Sequence, residues 1–218
     1  MSSDKYGRTY HLPFSLGATS DDRIAYDWQD LLAAPVVITE KLDGENNCIK
    51  ADGVYARSHA APTRNAWAGN VWDIWQRINY DVGAWHLFGE NLYGVHSIEY
   101  TDLEAHFYLF AVRDEGRWLS WQEVEEVAAL LDLPTVPVRG AGLFTEAELK
   151  AFIEREMQAG SRLGGECEGF VVRRAEGFAV EDFEKNVLKY VRENHVQTDQ
   201  HWTRNWRRAA LRHERVVG

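Results

Sequence analysis

A lysine followed by an Asp-Gly turn has the clearest chemical potential in this sequence. A strand pattern over residues 36–39 leads into Lys41, and Asp43 and Gly44 follow. A lysine at a strand end presents its amine at a sheet edge, where it can act as a nucleophile if its pKa falls from about 10.4 towards neutrality. We expect neighbouring cations to lower that pKa, with Lys189 and a magnesium ion as candidates. An ordinary surface hairpin is the alternative, because K-x-D-G also occurs by chance.

Five further side chains extend the chemistry, and four of them have a plainer alternative. Lys189 alternates with apolar residues in its strand, and an inward-facing lysine needs an anion. If it has no catalytic or binding role, Arg57 could simply form an ion pair at the surface, and Glu90 could belong to a Gly-flanked turn. Under the same alternative, Glu168 would be an exposed residue at the rim of a sheet, and Phe110 would be part of the core. Only the ordered set of these residues favours a shared site.

The elements that must position these residues are predicted from periodicity and capping. Strands are predicted at residues 36–39, 47–50, 54–58, 107–112, 169–173 and 187–191. Helices are predicted over residues 66–79 and after two capping boxes, Ser120 with Glu123 and Thr145 with Glu148. Strands and helices do not alternate as in a parallel doubly wound sheet. The sequence therefore predicts an α+β fold with mainly antiparallel sheets flanked by helices.

In chain order these pieces resemble the covalent nucleotidyltransferases, which include ATP-dependent polynucleotide ligases and mRNA capping enzymes. The first motif, K-x-D-G, is matched by Lys41, Asp43 and Gly44. The later motifs are matched by residues 55–58, 87–91, 107–112, 168–172 and 187–189. The resemblance covers about residues 36–195 and implies the nucleotidyltransferase (adenylyltransferase) fold.

Within this superfamily the chain is most similar to the RNA ligases, in particular the nick-sealing phage-type branch. DNA ligases usually have arginine two residues after the motif's glycine, whereas this chain has Asn46. Capping enzymes and DNA ligases normally have an OB-fold domain after the last motif, and the roughly 25 residues that remain here are too few for one. We expect no OB-fold domain. A minimal DNA ligase, another polynucleotide adenylyltransferase and a non-catalytic module that binds nucleic-acid ends remain alternatives.

The resemblance implies that ATP is a cofactor and that six residues contact it, two of which are Arg57 and Glu90 at its ribose and phosphates. Lys41 would attack the α-phosphorus and hold AMP, and Lys189 would contact the α-phosphate. Phe110 would stack on the adenine, and Glu40 would face the polar edge of that base.

The resemblance also implies residues for a metal and for RNA. Asp43, Glu90 and Glu168 would hold water ligands of Mg²⁺ or Mn²⁺. Arg57 and Glu90 would engage the ribose and the neighbouring phosphate region, and Asn46 would meet the RNA 5′-phosphate. Lys41, Asp43, Glu168 and Lys189 form the implied catalytic set.

One departure from the phage-type branch concerns phosphate contacts near the last motif. That branch typically has a second lysine two positions from the equivalent of Lys189, where this chain has Val187 and Val191. Arg192 and Lys185 are the candidates to replace it.

The charge distribution suggests a separate role for the C-terminal end. Residues 1–184 carry a net charge of −15 and residues 185–218 carry +5. We therefore divide the chain into an adenylyltransferase domain at 1–195 and a short basic helical appendage at 196–218. In a helix, Arg204, Arg208, Arg212 and Arg215 would share one face. We predict that Arg204 and Arg208 of this stripe contact RNA. Deletion after Thr203 should therefore spare lysyl-AMP formation.

The composition limits the remaining function classes. The chain has 218 residues, 45% of them hydrophobic, with no apolar run of about 18 residues, so no membrane partner is expected. The start lacks an apolar signal core, and two widely separated cysteines predict no disulfide framework, so we expect a cytoplasmic protein. The predicted partners are RNA with 5′-phosphate and 3′-hydroxyl ends and separate end-healing proteins. The type of RNA and the oligomeric state are left open.

Overall fold

The structure is a computed structural model that describes residues 5–193 and 206–215, and it has the predicted α+β class. Its strands in chain order are β1 (Tyr10–His11), β2 (Val36–Lys41), β3 (Glu45–Lys50), β4 (Gly53–Ala56), β5 (Trp85–Asn91), β6 (Phe107–Asp114), β7 (Arg117–Trp118), β8 (Val138–Gly142), β9 (Gly169–Arg174), β10 (Phe178–Ala179) and β11 (Val187–Val191). Its helices are α1 (Gln29–Leu32), α2 (Gly69–Val82), α3 (Trp121–Leu131), α4 (Glu146–Gln158), α5 (Phe183–Asn186) and α6 (Arg212–Arg215), with 3₁₀ turns at Ala66–Ala68 and Val180–Asp182.

The strands form two sheets that are mainly antiparallel. The first has the order β1-β11-β9-β2-β8, and the second has the order β10-β7-β6-β5-β3-β4. The β1–β11 pair is parallel, whereas every other pairing between these strands is antiparallel. The K-x-D-G turn connects β2 of the first sheet to β3 of the second. The turn therefore lies where the two sheets meet.

Strand β2 shows how the sequence pattern divides the interior. Val36 and Ile38 pack into a core that also contains Leu149 and Ile153 of α4. Side chains of successive strand residues point to opposite faces of the sheet, and Val37 accordingly belongs to the other main core. Thr39 and Lys41 follow Val37 in that alternation, and both line the cleft between the sheets.

The helices begin and pack as their patterns predict. Both capping boxes are present, Ser120 with Glu123 at α3 and Thr145 with Glu148 at α4. In α2, Val71 and Ile78 are buried, and the indole nitrogens of two tryptophans at its core-facing side donate to backbone carbonyls, Trp72 to Thr63 and Trp75 to Lys50. Among the described helices, none is long and apolar enough to cross a membrane.

Five of the described strands were not predicted, namely the two-residue strands β1, β7 and β10 and the longer β5 and β8. One predicted helix is wrong over its described part. Residues 85–91, interpreted as a possible turn around Glu90, form β5 inside the second sheet, with a register shift between Phe88 and Gly89 that interrupts the alternation. Strand β8 also lacks a strand-like sequence, because it contains two glycines. Residues 206–211 are not helical: this stretch makes an antiparallel bridge from Arg208 to Gly94, and α6 spans only four residues.

Candidate active site

A cleft between the two sheets contains the turn and most of the residues singled out from the sequence. Its volume is about 1280 Å³. The first sheet contributes Lys41, Glu168, Val171 and Lys189, and the second contributes residues that include Asn46, Glu90 and Phe110. These residues come from six separate stretches of the chain. Their convergence is a geometric finding, whereas their chemical roles stay predictions.

Lys41 and Glu168 form the central contact of the cleft. The Nζ atom of Lys41 donates to Oε1 of Glu168 over 2.5 Å, across 127 positions of sequence. The Glu168 side chain is 1% exposed, whereas that of Lys41 is 29% exposed. Strands β2 and β9 produce this contact, because their register pairs Lys41 with Gly169, the residue after Glu168. The amine is thus held in place but still reaches the cavity.

The electrostatics of Lys41 differ from the sequence-based expectation. Burial lowers the pKa of its ammonium, but the carboxylates of Glu168, Glu90 and Asp43 outweigh burial, so the pKa is raised above its ordinary value. The expected fall towards neutrality through neighbouring cations is therefore wrong for the protein by itself. In this state Lys41 is a charged ammonium, and it must lose a proton before it can attack.

Glu90 belongs to the same acidic group and supports the turn. Its Oε1 atom accepts a hydrogen bond from the Gly44 backbone nitrogen over 3.1 Å. Gly44 is required at this position because a β-carbon there would lie 2.5 Å from the carbonyl oxygen of Asn91. Burial raises the pKa of Glu90 to about 8; the Lys41 ammonium lowers it, and Glu168 and Asp43 raise it again. A cation beside these carboxylates would relieve their mutual repulsion.

The Asp43 carboxylate is held by Ser97 and Ile98, a contact that the sequence did not reveal. One oxygen, Oδ2, accepts hydrogen bonds from the backbone nitrogens of Ser97 and Ile98, both at 2.8 Å, and from the Ser97 hydroxyl at 2.6 Å. Among the described residues, no group of three or more His, Cys, Asp or Glu side chains is arranged to hold a metal ion directly. Glu90 and Glu168 provide the hard oxygen atoms that suit Mg²⁺ or Mn²⁺ through water.

Lys189 enters the cleft from β11 beside a pair of residues that the sequence analysis did not select. Its Nζ atom lies 3.8 Å from Oδ1 of Asp22, and Nε2 of His11 lies 3.4 Å from the same oxygen. Burial and the Lys41 charge lower the pKa of Lys189, while Asp22 opposes that shift. His11 is fully buried and contacts the Ser15 hydroxyl through Nδ1 at 2.8 Å.

His11 makes the stability of the fold depend on pH. Burial, followed by the Lys189 charge, lowers its pKa from 6.5 to about 4. Between these pH values the unfolded chain binds a proton at His11 and the folded chain does not. The free energy of unfolding should therefore decrease as pH falls from about 6.5 to about 4, by up to roughly 3 kcal/mol from this group. Urea unfolding of the protein and of His11→Gln across this range measures the difference.

The control for this experiment is His213→Gln, since His213 is exposed. His213→Gln should keep the full pH dependence, and His11→Gln should have a smaller one. Equal slopes for the protein and His11→Gln would contradict a neutral buried imidazole.

The two residues predicted to bind the adenine, Phe110 and Glu40, differ in where their side chains lie. Phe110 is partly buried on the cleft wall, and its ring meets that of Tyr6 edge to face at 5.0 Å between centroids. The Glu40 carboxylate, predicted to face the adenine, instead lies on the other face of β2. It accepts hydrogen bonds from Arg139 Nη1 (2.7 Å), the Ser161 hydroxyl and the Arg162 backbone nitrogen. The prediction that this carboxylate contacts the base is therefore wrong, because strand alternation turns it away from Lys41.

Asn46 and Arg57 both line the cleft. The side-chain oxygen of Asn46 is buried and has no hydrogen-bond partner among the described residues. Because an amide can rotate to exchange its oxygen and nitrogen, this side chain can offer either group to a ligand. Arg57 follows β4, is exposed, and has its guanidinium near enough to lower the pKa of Lys189. The Arg57 guanidinium and the Asn46 amide, when its NH₂ group faces the cleft, are both donors that suit a phosphate.

Several predicted phosphate contacts do not reach the cleft or lie outside the described residues. Arg192 pairs with Glu166 at 2.5 Å, and Lys185 lies 3.8 Å from Asp182 with most of its side chain exposed. Neither lines the cavity. Arg208 pairs with Glu214 through two hydrogen bonds. Arg204 lies outside the described residues.

The N-terminal segment is the main part of the site that sequence reasoning missed. Residues 5–9 line the cleft, and Tyr6 packs among Phe88, Phe110, Trp118 and Phe183. This segment shows no strand or helix periodicity and no recognised motif, so only its aromatic residue hinted at a packed position. Its location depends on tertiary contacts between distant parts of the chain.

Comparisons with known proteins identify the family and the fold. The family model for RNA ligases matches residues 34–191. No curated protein sequence matches the chain. An archaeal ATP-dependent RNA ligase superposes with a TM-score of 0.57 at 16% identity, over 86% of this chain and 48% of that one. A variant of the Naegleria gruberi RNA ligase with ATP and Mn has a TM-score of 0.55 at 18% identity, over 84% and 59%.

A third solved structure comes from a protein with a different assigned substrate. This Aquifex aeolicus protein, described provisionally as an ATP-dependent DNA ligase, has a TM-score of 0.54 at 19% identity, over 86% of this chain and 49% of that one. The chain thus spans about half the length of these solved proteins. At such identities the likeness shows the fold and does not separate RNA from DNA as substrate.

Proposed function

Because the chain belongs to the RNA ligase family, we propose that it joins RNA ends in an ATP-dependent reaction through a covalent lysyl-AMP. The observation that carries this proposal is the position of Lys41: its amine reaches a large cleft and contacts a buried carboxylate at 2.5 Å. Residues of both sheets surround that amine. A surface hairpin, the plain alternative for K-x-D-G, would have no such enclosure.

In the first step Lys41 attacks the α-phosphorus of ATP, forming an N–P bond as the bond to pyrophosphate breaks. The ammonium must first lose a proton, which Glu168, at 2.5 Å from Nζ, is placed to accept. Lys189 stabilises the negative charge on the α-phosphate. Burial and the Lys41 charge lower the pKa of Lys189, so an anion bound in the cleft would favour its charged form. Phe110 and Val171, on opposite walls of the cleft, bind the adenine.

The acidic residues beside Lys41 could hold a divalent metal ion. The carboxylates of Glu90 and Glu168 would hold it through water, and Asp43 contributes negative charge while it fixes the turn. When bound, the metal neutralises phosphate charge and favours the neutral amine of Lys41. The similar Naegleria gruberi ligase has been solved with ATP and Mn, which supports ATP and Mg²⁺ or Mn²⁺ as cofactors here.

In the second step the RNA 5′-phosphate takes AMP from Lys41, and in the third the 3′-hydroxyl attacks that activated phosphate and releases AMP. Asn46 and Arg57 are proposed to bind the 5′-phosphate, because both line the cleft, Arg57 is a cation, and the Asn46 amide can rotate to present its NH₂ group in place of its unpartnered oxygen. We propose further that the chain belongs to the nick-sealing branch and that residues 1–195 form the adenylyltransferase domain. We also propose that separate proteins heal the RNA ends before they are joined.

We expect the protein to prefer RNA at the 3′-hydroxyl side of a nick. Asn46 stands where DNA ligases usually have arginine, and the 2′-hydroxyl is the local group that distinguishes the two sugars. One hydrogen bond to it is worth about 1 kcal/mol or slightly more, so sealing should be roughly tenfold faster than with an all-DNA nick. Sealing rates on matched nicked duplexes that differ only in the sugar at the 3′ end measure this preference.

The matched control carries the sugar change several nucleotides away from the nick and should be sealed at the RNA rate. Equal rates on RNA and DNA nicks would favour the minimal DNA ligase. AMP transfer to the protein without sealing of either nick would favour another adenylyltransferase.

A further inference from the structure

The C-terminal strap, defined as residues 206–215, is attached along one loop of the body. That loop, residues 93–104 (the 93–104 loop), lies between β5 and β6. It contains no helix and no strand, only a single β-bridge at Gly94. Three backbone hydrogen bonds join strap and loop: Val95 to Arg207 (2.9 Å), Ala209 to Tyr93 (2.8 Å) and Arg212 to Leu103 (2.7 Å), each from nitrogen to oxygen. The strap is thereby attached to the loop by backbone hydrogen bonds.

Side chains strengthen this attachment. Arg207 and Arg215 both bind the carboxylate of Glu99, at 2.5 Å and 3.0 Å. Arg212 contacts Glu104 and lies 3.4 Å from Asp102. Ala209 is buried and Leu211 packs against the core formed by the second sheet with α2 and α3, so the strap is also anchored by apolar contacts. Exposed ion pairs contribute only about 0.2–1 kcal/mol each, but three arginines on one loop act together.

The same loop holds the turn that carries the lysine. Ser97 and Ile98 donate three hydrogen bonds to Oδ2 of Asp43, and the Asp43 backbone nitrogen donates to the Tyr100 hydroxyl at 2.8 Å. Glu99, where two strap arginines bind, lies between Ile98 and Tyr100. A continuous set of contacts therefore leads from the strap through the loop to Asp43, two residues from Lys41.

We propose that the C-terminal strap is a positioning element for Lys41: it holds the 93–104 loop, which in turn fixes the K-x-D-G turn. This inference rests on the proposed function, since it assumes that Lys41 is the nucleophile. A displacement of about 1 Å in a reacting group can slow a reaction by about 100-fold. Loosening the loop therefore slows AMP transfer even though the strap touches no nucleotide.

This role replaces the sequence-based interpretation of the arginines as an RNA-binding stripe. Arg207, Arg208, Arg212 and Arg215 each pair with carboxylates of the protein. Their charges are already compensated, and the residues that carry them do not form one helix. The strap should accordingly affect lysyl-AMP formation, which the stripe interpretation predicts to be unaffected.

The test is the single-turnover rate of AMP transfer to the protein at several ATP concentrations, without RNA. The strap variant is Arg207→Ala/Arg212→Ala/Arg215→Ala in the full chain. Its rate at saturating ATP should fall about tenfold, because a mobile turn samples the attacking geometry less often. The half-saturating ATP concentration should stay within about twofold, since the adenine wall is formed by other strands.

A matched triple variant controls for the loss of three positive charges. Arg77→Ala/Arg117→Ala/Arg155→Ala removes three partly exposed arginines that have carboxylate partners but no contact with the 93–104 loop. It should transfer AMP at the rate of the unmodified protein. Thermal unfolding of both variants checks that each folds.

Charge inversion separates positioning from general loss of structure. Glu99→Arg alone should slow AMP transfer, and adding Arg207→Glu and Arg215→Glu should restore most of the rate by re-forming the pairs with opposite polarity. Unchanged rates in the strap variant, an equal loss in the control triple, or no restoration by inversion would each overturn the inference. Absence of label from the unmodified protein would instead overturn the proposed function.

Discussion

Replacing Lys41 by alanine should abolish both the covalent attachment of AMP and the sealing of RNA ends. The alanine variant has no amine at the position that faces Glu168 across 2.5 Å. Lys41→Arg should be equally inactive, because a guanidinium stays protonated at any pH suitable for the assay and cannot attack phosphorus. Incubation with ATP labelled on the α-phosphate, followed by acid precipitation, measures attachment. As expected for an N–P bond, the attachment should survive brief cold acid precipitation and alkali, and it should be cleaved by warm acid and by acidic hydroxylamine.

Lys150→Ala is the matched control, because Lys150 is an exposed residue of α4 outside the cleft. It should be labelled as fully as the unmodified protein. Undiminished label in Lys41→Ala would show that another group is the nucleophile.

Replacing Lys189 by alanine should lower the rate of AMP transfer by about 10²–10³-fold. Its amine enters the cleft from β11, and its pKa is lowered by burial and by Lys41, as expected for a cation held ready for an anion. Removing one preorganised charge that stabilises a transition state typically reduces a rate by this factor. Single-turnover labelling at saturating ATP measures the effect.

Lys189→Arg makes the prediction more specific. It keeps the charge but changes its shape and reach, so its rate should lie between those of the alanine variant and the unmodified protein. A loss of less than about threefold in Lys189→Ala would mean that Lys189 only pairs with Asp22 and does not contact the transferred phosphate.

The order of short motifs was enough to predict the cleft, because each motif places its polar residue at a strand or strand end. Lys41 and Glu168 are separated by 127 positions, yet they meet because β2 and β9 are neighbours. Matching motifs in chain order favoured a shared site for these residues, whereas the pairing of β2 with β9 is seen only in the structure. Local patterns also predicted α3 and α4, since capping boxes depend only on residues three positions apart.

The errors arose where the answer depended on side-chain direction or on distant contacts. Glu40 and Lys41 are consecutive residues of one strand, so their side chains must point to opposite faces. Applying that rule would have excluded a base contact by the Glu40 carboxylate. The raised pKa of Lys41 could not be predicted in this way, because it depends on three carboxylates that approach from different elements.

The C-terminal strap shows a third reason why the sequence alone did not predict the structure. Arginines spaced four residues apart are typical of one face of a helix, but the same spacing occurs in a segment held by backbone pairing and ion pairs. Glu99, Asp102 and Glu104 are the deciding partners, and all lie more than 100 positions earlier in the chain. Without them, the sequence favoured a separate basic helix.

The most direct test of the account is a pulse–chase experiment that follows one AMP group. The protein is labelled with α-labelled ATP and freed of ATP. One portion is mapped by proteolysis and mass spectrometry, and the intact remainder is mixed with a nicked RNA duplex carrying a 5′-phosphate. The account predicts that the label lies on Lys41, moves to the RNA 5′-phosphate, and is released as AMP while the nick is sealed. Label on another residue, or label on Lys41 that never moves to RNA, would contradict it.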